Sequence, residues 1–291
     1  MTARLATHPD IADRSGHVLD RLHQAGVDVD FVGELERDDS FALLRDHQID
    51  LALVGISAMR GSAFDGFTTV AVLPRMETRD VVVALQGRAS SLAALPSGAT
   101  VGFCGARRGA FLAAHRPDLN ALTLDPTEVR RVADRTRNGD DSDNGLVAGV
   151  PDVLIMSALD ARHAGLLDTA VEALDPKAWL PEPGQGALAL IARHPIAEAT
   201  ALDHLPTRTA LRTELALLDA VEEHGTDTLG CLAQPSGRWI RLWAAAPSPT
   251  GDRLVRSDRT GPLDEPASLG ATVAAELVSR GYRLLAGLEA S

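Results

Sequence analysis

A chain of 291 residues with 45% hydrophobic side chains is long enough for two or three domains with cores of their own. Its formal net charge of −12 works against a phosphate backbone, so nucleic-acid partners are excluded unless a basic patch is built locally. No run approaches the roughly 18 uncharged apolar residues of a membrane helix, and MTARLATHPDIADRSG lacks the apolar centre of a secretory signal, so a cytoplasmic protein is expected.

In chain order, His17–Gln24 carries Val18, Leu19 and Leu22 at helical spacing, and Gly26 is placed to end that helix. Val27–Val32 then alternates as a strand does, Phe41–Leu44 is helix-like, and Ile49–Val54 is a mostly apolar strand. Val81–Leu85, Val101–Phe103 and Val153–Met156 are further apolar runs, and Ala110–His115 reads as a helix ended by Pro117. Unbroken apolar runs suit strands covered on both faces, so the expectation is an α/β protein with largely parallel sheets. Arg135–Gly149, with NGDDSDNG at its centre, reads as a polar loop. Beyond a second break at His194–Pro206 the grammar changes. A long helix over Arg208–Glu223, strands near Trp239–Ala245 and Leu254–Ser257, and a helix near Ala267–Ser279 predict a separate small α+β domain.

Four segments carry a resemblance. They are LPRMETRDVVVAL (73–85), LPSGATVGFCGARRGAFLAAHRPDL (95–119), LPEPGQGALALIAR (180–193) and LWAAAPSPTGDRLVRSDRTG (242–261). In order and spacing the chain resembles the porphobilinogen deaminase (hydroxymethylbilane synthase) family, whose second segment looks like LPxGxxVGTSSLRRxxQLxxxRPDL and whose third reads LPxxGQGA. The resemblance implies two α/β domains of the type II periplasmic-binding-protein kind around a cleft, plus a C-terminal α+β domain. The implied boundaries are 1–75 with 176–195, then 79–170, then 205–291. It also implies a role in tetrapyrrole biosynthesis: four porphobilinogen molecules joined head to tail, with ammonia released, on a dipyrromethane primer held by a cysteine.

Carried over residue by residue, the resemblance leaves the chemistry short. The family's ADIAVHSMKDVP meets IDLALVGISAMR, which puts Ala58 at the catalytic Asp and Ser57 at the adjoining Lys. Alanine takes no proton, so the acid–base step has no agent there; Asp65 is a nearby carboxylate with nothing to place it in the cleft. EGGCQVPIG meets EEHGTDTLG, which puts Gly225 at the cysteine. Without a thiolate there is no thioether, so dipyrromethane, the family's cofactor, is expected to be absent, with Cys231 a weak substitute six residues downstream. Arg107, Arg108 and Arg131 keep three of the family's substrate arginines, whereas His8, Asp125 and His163 replace others. Asp125 facing substrate carboxylates would repel them. The serines of the family's TSS become Cys104 and Gly105.

Each feature also has a plainer reading. Arg107 and Arg108 alone would be an exposed pair at a helix start; within the matched segment an anion site at the helix N-terminus is favoured. Gly184, Gln185 and Gly186 read equally as a hinge turn or as substrate contacts. His8 and His163 suit surface or satisfied polar positions, and the two cysteines suit buried thiols. No metal-ligand spacing, P-loop or G-x-G-x-x-G is present. Three functions remain. A relative that binds a small anionic ligand (a pyrrole, tetrapyrrole or other polycarboxylate) without the family's polymerisation ranks first. An active divergent hydroxymethylbilane synthase is second, and a solute-binding-type module for an unrelated anion third. A monomer is expected, with an intact deaminase as a possible partner.

Overall fold

The computed structural model describes residues 2–7, 12–35, 37–57, 65–85, 89–138, 150–221 and 227–286. His8, Ala58 and Gly225 lie outside the described residues, as do residues 139–145 of the NGDDSDNG run. The chain begins with β1 (Ala3–Thr7), α1 (Ala12–Gln24), β2 (Val29–Glu34), α2 (Arg37–Arg45), β3 (Leu51–Gly55) and β4 (Thr68–Val72). It crosses into a second α/β domain with β5 (Asp80–Ala84), β6 (Thr100–Phe103), α3 (Ala106–His115), β7 (Asn120–Thr123), α4 (Pro126–Asn138), β8 (Val153–Ser157), α5 (Ala158–His163) and β9 (Ala170–Ala173). It then returns to the first domain as β10 (Leu188–Ala192).

The two five-stranded sheets share one plan, β2-β1-β3-β10-β4 and β7-β6-β8-β5-β9. In each, one strand runs antiparallel to its neighbours, and that strand is the one delivered by a crossover from the other domain: β10 in the first sheet, β5 in the second. The sheets are therefore mixed, not largely parallel as periodicity suggested. A strand buried on both faces gives the same apolar run in either direction, so direction is not written in the pattern. The burial itself follows the two-residue period. Leu51 and Leu53 of β3 enter one core while Ala52 and Val54 enter the core on the opposite face. Val82 of β5 likewise faces away from Val81 and Val83.

Helix α4 corrects another expectation, since it runs on through Arg135 to Asn138 where the sequence suggested a loop. Its buried face is carried by Val132 and Ala133 with Val129 beside them, and the remaining positions are mostly charged. So thin an apolar stripe escapes a periodicity search, yet Arg and Glu are good helix formers. The C-terminal domain follows expectation. A three-stranded antiparallel sheet, β11 (Gly230–Ser236), β12 (Trp239–Pro247) and β13 (Leu254–Pro262), packs against α6 (Leu205–Val221) and α7 (Pro266–Ser279). Leu217, Cys231, Ile240, Leu242, Val273 and Leu277 form the centre of its core. Among the described residues no helix is long and apolar enough to cross a membrane.

Candidate functional site

The two crossings, residues 73–79 and 174–187, run side by side, and buried polar side chains on and beside them are heavily bonded. Asp80 opens β5 and its side chain is fully buried. Its Oδ2 accepts from Arg107 Nη2 at 2.6 Å, Arg108 Nε at 3.1 Å and Trp179 Nε1 at 3.1 Å. Its Oδ1 accepts from Arg108 Nη2 and Gln185 Nε2, both at 3.0 Å. Burial alone would favour the neutral acid, but the guanidinium charges of Arg107 and Arg108 and their hydrogen bonds hold Asp80 well below the usual carboxylate range. Arg107 also donates to the Leu180 carbonyl at 2.7 Å, and Arg108 to the Cys104 carbonyl at 3.0 Å. Two guanidinium charges against one carboxylate leave this knot with a positive excess.

Gly184 and Gly186 explain why GQG stands here. Both have φ of +78°, which costs any residue with a Cβ about 1–2 kcal/mol. A Cβ on Gly184 would lie 2.8 Å from the Ile56 carbonyl oxygen, and one on Gly186 would lie 2.8 Å from that of Glu77. Between them Gln185 spans the crossings, donating to the Thr78 carbonyl as well as to Asp80. A second knot ties in the third domain. Arg75 donates to Glu214 through Nη1 at 2.6 Å and Nη2 at 2.9 Å, and to the Gln185 carbonyl through Nε at 3.0 Å. Glu214, fully buried in α6, accepts in addition from the backbone N–H groups of Gly184 and Ala233. One carboxylate thus joins the return crossing, α6 and β11.

Two cavities open beside these knots and share Cys104 and Arg108. One, of about 400 Å³, lies between α4 and α5 and is lined by Arg130, Arg137, Asp134, Asp160 and His163. The other, of about 340 Å³, lies between the start of α3, Glu182 and Pro183, and the third domain at Asp227 and Leu229. The N-cap of α3 is Gly105, which brings no side chain to cap the free N–H groups. Those groups, the helix dipole and the excess charge of the knot act together on an anion placed there.

The predicted residues fall into three groups. Arg108, Cys104 and His163 line the cavities; Arg107 reaches the smaller one but is almost wholly buried against Asp80. Gln185, Gly184 and Gly186 belong to the hinge between the crossings. Arg131 is exposed on α4, and it is Arg130 and Arg137, two turns apart on one face, that line the larger cavity. Asp65 is exposed. Asp125 caps α4: it accepts from the Glu128 N–H at 2.8 Å while Glu128 accepts from its own N–H at 2.8 Å, a reciprocal capping box. Cys231 has no exposed surface in the third core, and burial pushes its thiol well up. Burial also raises the Cys104 thiol, which is half-buried.

Sequence reasoning passed over Asp80, Glu182, Arg75, Glu214, Arg130 and Arg137. For Asp80 a signal existed. An aspartate opening the all-apolar DVVVA must find cations if it is buried, and two adjacent arginines stood in the next matched segment. Glu182 had no such signal. It accepts from Ser57 Oγ at 2.8 Å, a contact 125 positions apart in sequence.

Comparison with known proteins places the chain among relatives. Residues 7–201 match the family described as porphobilinogen deaminase, dipyromethane cofactor binding domain. A porphobilinogen deaminase of Roseiflexus castenholzii is 32% identical, over 95% of this chain and 87% of that one. One from Stenotrophomonas maltophilia is 30% identical over 96% and 97%, and one from Desulforudis audaxviator 32% over 86% and 77%. Among solved structures, a periplasmic substrate-binding protein of an ABC transporter from Coxiella burnetii covers 69% of this chain and 90% of its own, at 14% identity and a TM-score of 0.45.

Proposed function

Since the chain belongs to the porphobilinogen deaminase family, we propose that this member binds a pyrrole, tetrapyrrole or related polycarboxylate in its cleft without the family's head-to-tail polymerisation. The observation that carries the reading is the pair of cavities meeting at Arg108, with Arg130 and Arg137 on the α4 wall beside Asp134, which accepts from Arg137 Nη2 at 2.8 Å, and the start of α3, without a side-chain cap, between them. Carboxylates of a small ligand fit the planar donors of Arg108, Arg130 and Arg137.

The losses in sequence support the second half of the reading. Ala58 stands at the family's catalytic aspartate and Gly225 at the primer cysteine. The thiols that remain do not fit a thioether-bound dipyrromethane: Cys231 is sealed in the third core, and Cys104 belongs to the second domain. A second reading, an active member working by an altered route, draws on Cys104 alone, because that thiol lines both cavities. Intact mass measured before and after incubation with porphobilinogen separates the two. The expected result is an unmodified mass both times, porphobilinogen unconsumed, and saturable binding of the pyrrole in calorimetry. A mass carrying two extra pyrrole units, or a ladder of additions, would establish a covalent primer and the enzyme reading.

A further inference from the structure

A third cavity, of about 410 Å³, shares no lining residue with the two described above. Helix α5 stands between it and the cleft. Asp160, His163 and Ala164 line the larger cleft cavity, whereas Ala158, Leu159 and Arg162 line the third. The other walls are the first crossing at Met76, Glu77 and Arg79, Val81 of β5, and the stretch from Leu167 into β9.

Most of that lining is apolar. Met76, Leu159, Leu167 and Val171 are each half-buried, so their surface stands ready to leave water for an apolar ligand. Met76 and Leu159 pack in addition against the core of the first domain, although Leu159 belongs to the second. A concave, mainly apolar space with a few polar groups is the usual form of a small-molecule site.

The charged groups decide which end such a ligand must carry. Glu77 accepts from Arg79 Nη2 at 2.6 Å and from the backbone N–H groups of Thr78 and Arg79. Glu172 accepts from the Leu92 N–H at 2.7 Å. Arg162, exposed in the last turn of α5, has no ion pair and no side-chain hydrogen bond among the described residues. One guanidinium fork is therefore open to a planar carboxylate, which it matches with two parallel bonds. The carboxylates of Glu77 and Glu172 on the same walls oppose a second negative charge.

We propose that this cavity is a binding site for a small amphipathic monocarboxylate, its carboxylate on Arg162 and its apolar body against Met76, Leu159, Leu167 and Val171. The site lies outside the cleft and does not depend on what the cleft binds. A ligand there touches the first crossing and α5 at once, so its occupancy stabilises the folded chain.

The test is calorimetry on the full chain with hydrocinnamate and its amide, which share one body and differ in the charge. Hydrocinnamate is expected to bind saturably in the millimolar range or tighter, and to raise the melting temperature. It should bind about fivefold more tightly than the amide, the scale of a partly exposed charge-assisted pair. R162A, at an exposed position, should keep the fold and erase that preference by weakening the carboxylate alone. L159A should weaken both probes by about threefold and leave the preference intact. R130A/R137A, on the cleft wall, should change neither. Equal binding of both probes by wild type, an unchanged preference in R162A, or unchanged affinities in L159A would overturn the assignment. So would loss of binding in R130A/R137A, which would put the probe in the cleft, or no saturable binding of either probe.

Discussion

The hinge between the crossings and the walls of the cavities use the same residue types to opposite ends. At the hinge, Asp80, Arg107, Gln185, Arg75 and Glu214 have their polar atoms bonded to one another and kept from water. On the walls, Arg130, Arg137, Asp134 and Asp160 also have partners, Arg137 donating to Asp134 at 2.8 Å, but they stand at the edge of a cavity. The difference teaches that a matched motif is no guide to which of the two it serves. The arginine pair and GQG were the strongest signals of a substrate site, and most of what they do is hold the crossings together. The fold itself needs these motifs, because Gln185 and the two arginines tie the crossings together through Asp80.

The comparison breaks most readily at Asp80. If the knot is structural, D80N removes the charge that neutralises two buried guanidiniums, and destabilisation of about 3–5 kcal/mol follows. Thermal or denaturant unfolding reads it directly. The pH dependence carries the same sign. Asp80 has a lowered pKa when folded, so its contribution is complete above the unfolded value of about 3.9 and is lost as pH falls through the folded value. Wild type should therefore lose stability on acidification below about pH 4 more steeply than D80N. Equal slopes would show that the knot is not what holds the crossings.

Gly184 sharpens the comparison at smaller cost. G184A puts a Cβ at φ +78° and 2.8 Å from the Ile56 carbonyl oxygen, so the backbone is strained and that carbonyl must shift. About 1–2 kcal/mol comes from the backbone conformation alone. Because Ile56 precedes Ser57, the displacement should also disturb the Ser57–Glu182 bond, so ligand affinity falls together with stability. G186A presses on the Glu77 carbonyl instead, away from Ser57, and should lower stability while sparing affinity. Matching losses of affinity in the two variants, measured by calorimetry, would mean that the whole hinge and not its Ser57 side sets the cleft.

How much of this was legible beforehand follows from range. The buried strands, the long helix α6 and the α+β character of the third domain were readable because their signals are local: apolar runs, helical spacing and turns. The reversed direction of β10 was not, since Leu188–Ala192 looks like any buried strand, and the chain's return to the first domain over 176–195 came only with the family resemblance. The site was half legible. The sequence points to Arg108, but to Arg131 where Arg130 and Arg137 do the lining and to a surface or satisfied polar place for His163, because alignment fixes a position and not the face of a helix. Glu182 was unreadable for the same reason at longer range, its partner Ser57 being brought near only by the crossings.

Asp125 puts the same distinction to its finest test. From the sequence it stands where the family keeps an arginine, and as a wall residue its charge would repel a ligand's carboxylates. In the fold its carboxylate caps α4, the helix that carries Arg130 and Arg137. The two roles separate by substitution. D125A removes the cap and should cost about 1 kcal/mol, whereas D125N keeps a good capping residue and discards the charge. A capping role leaves D125N near wild type in both melting temperature and affinity. A repulsive role makes D125N bind a polycarboxylate more tightly with no change in stability. The first outcome is expected, because one oxygen of Asp125 is already committed to the Glu128 N–H and the residue lies at the exposed mouth of the helix, where water and salt screen its charge.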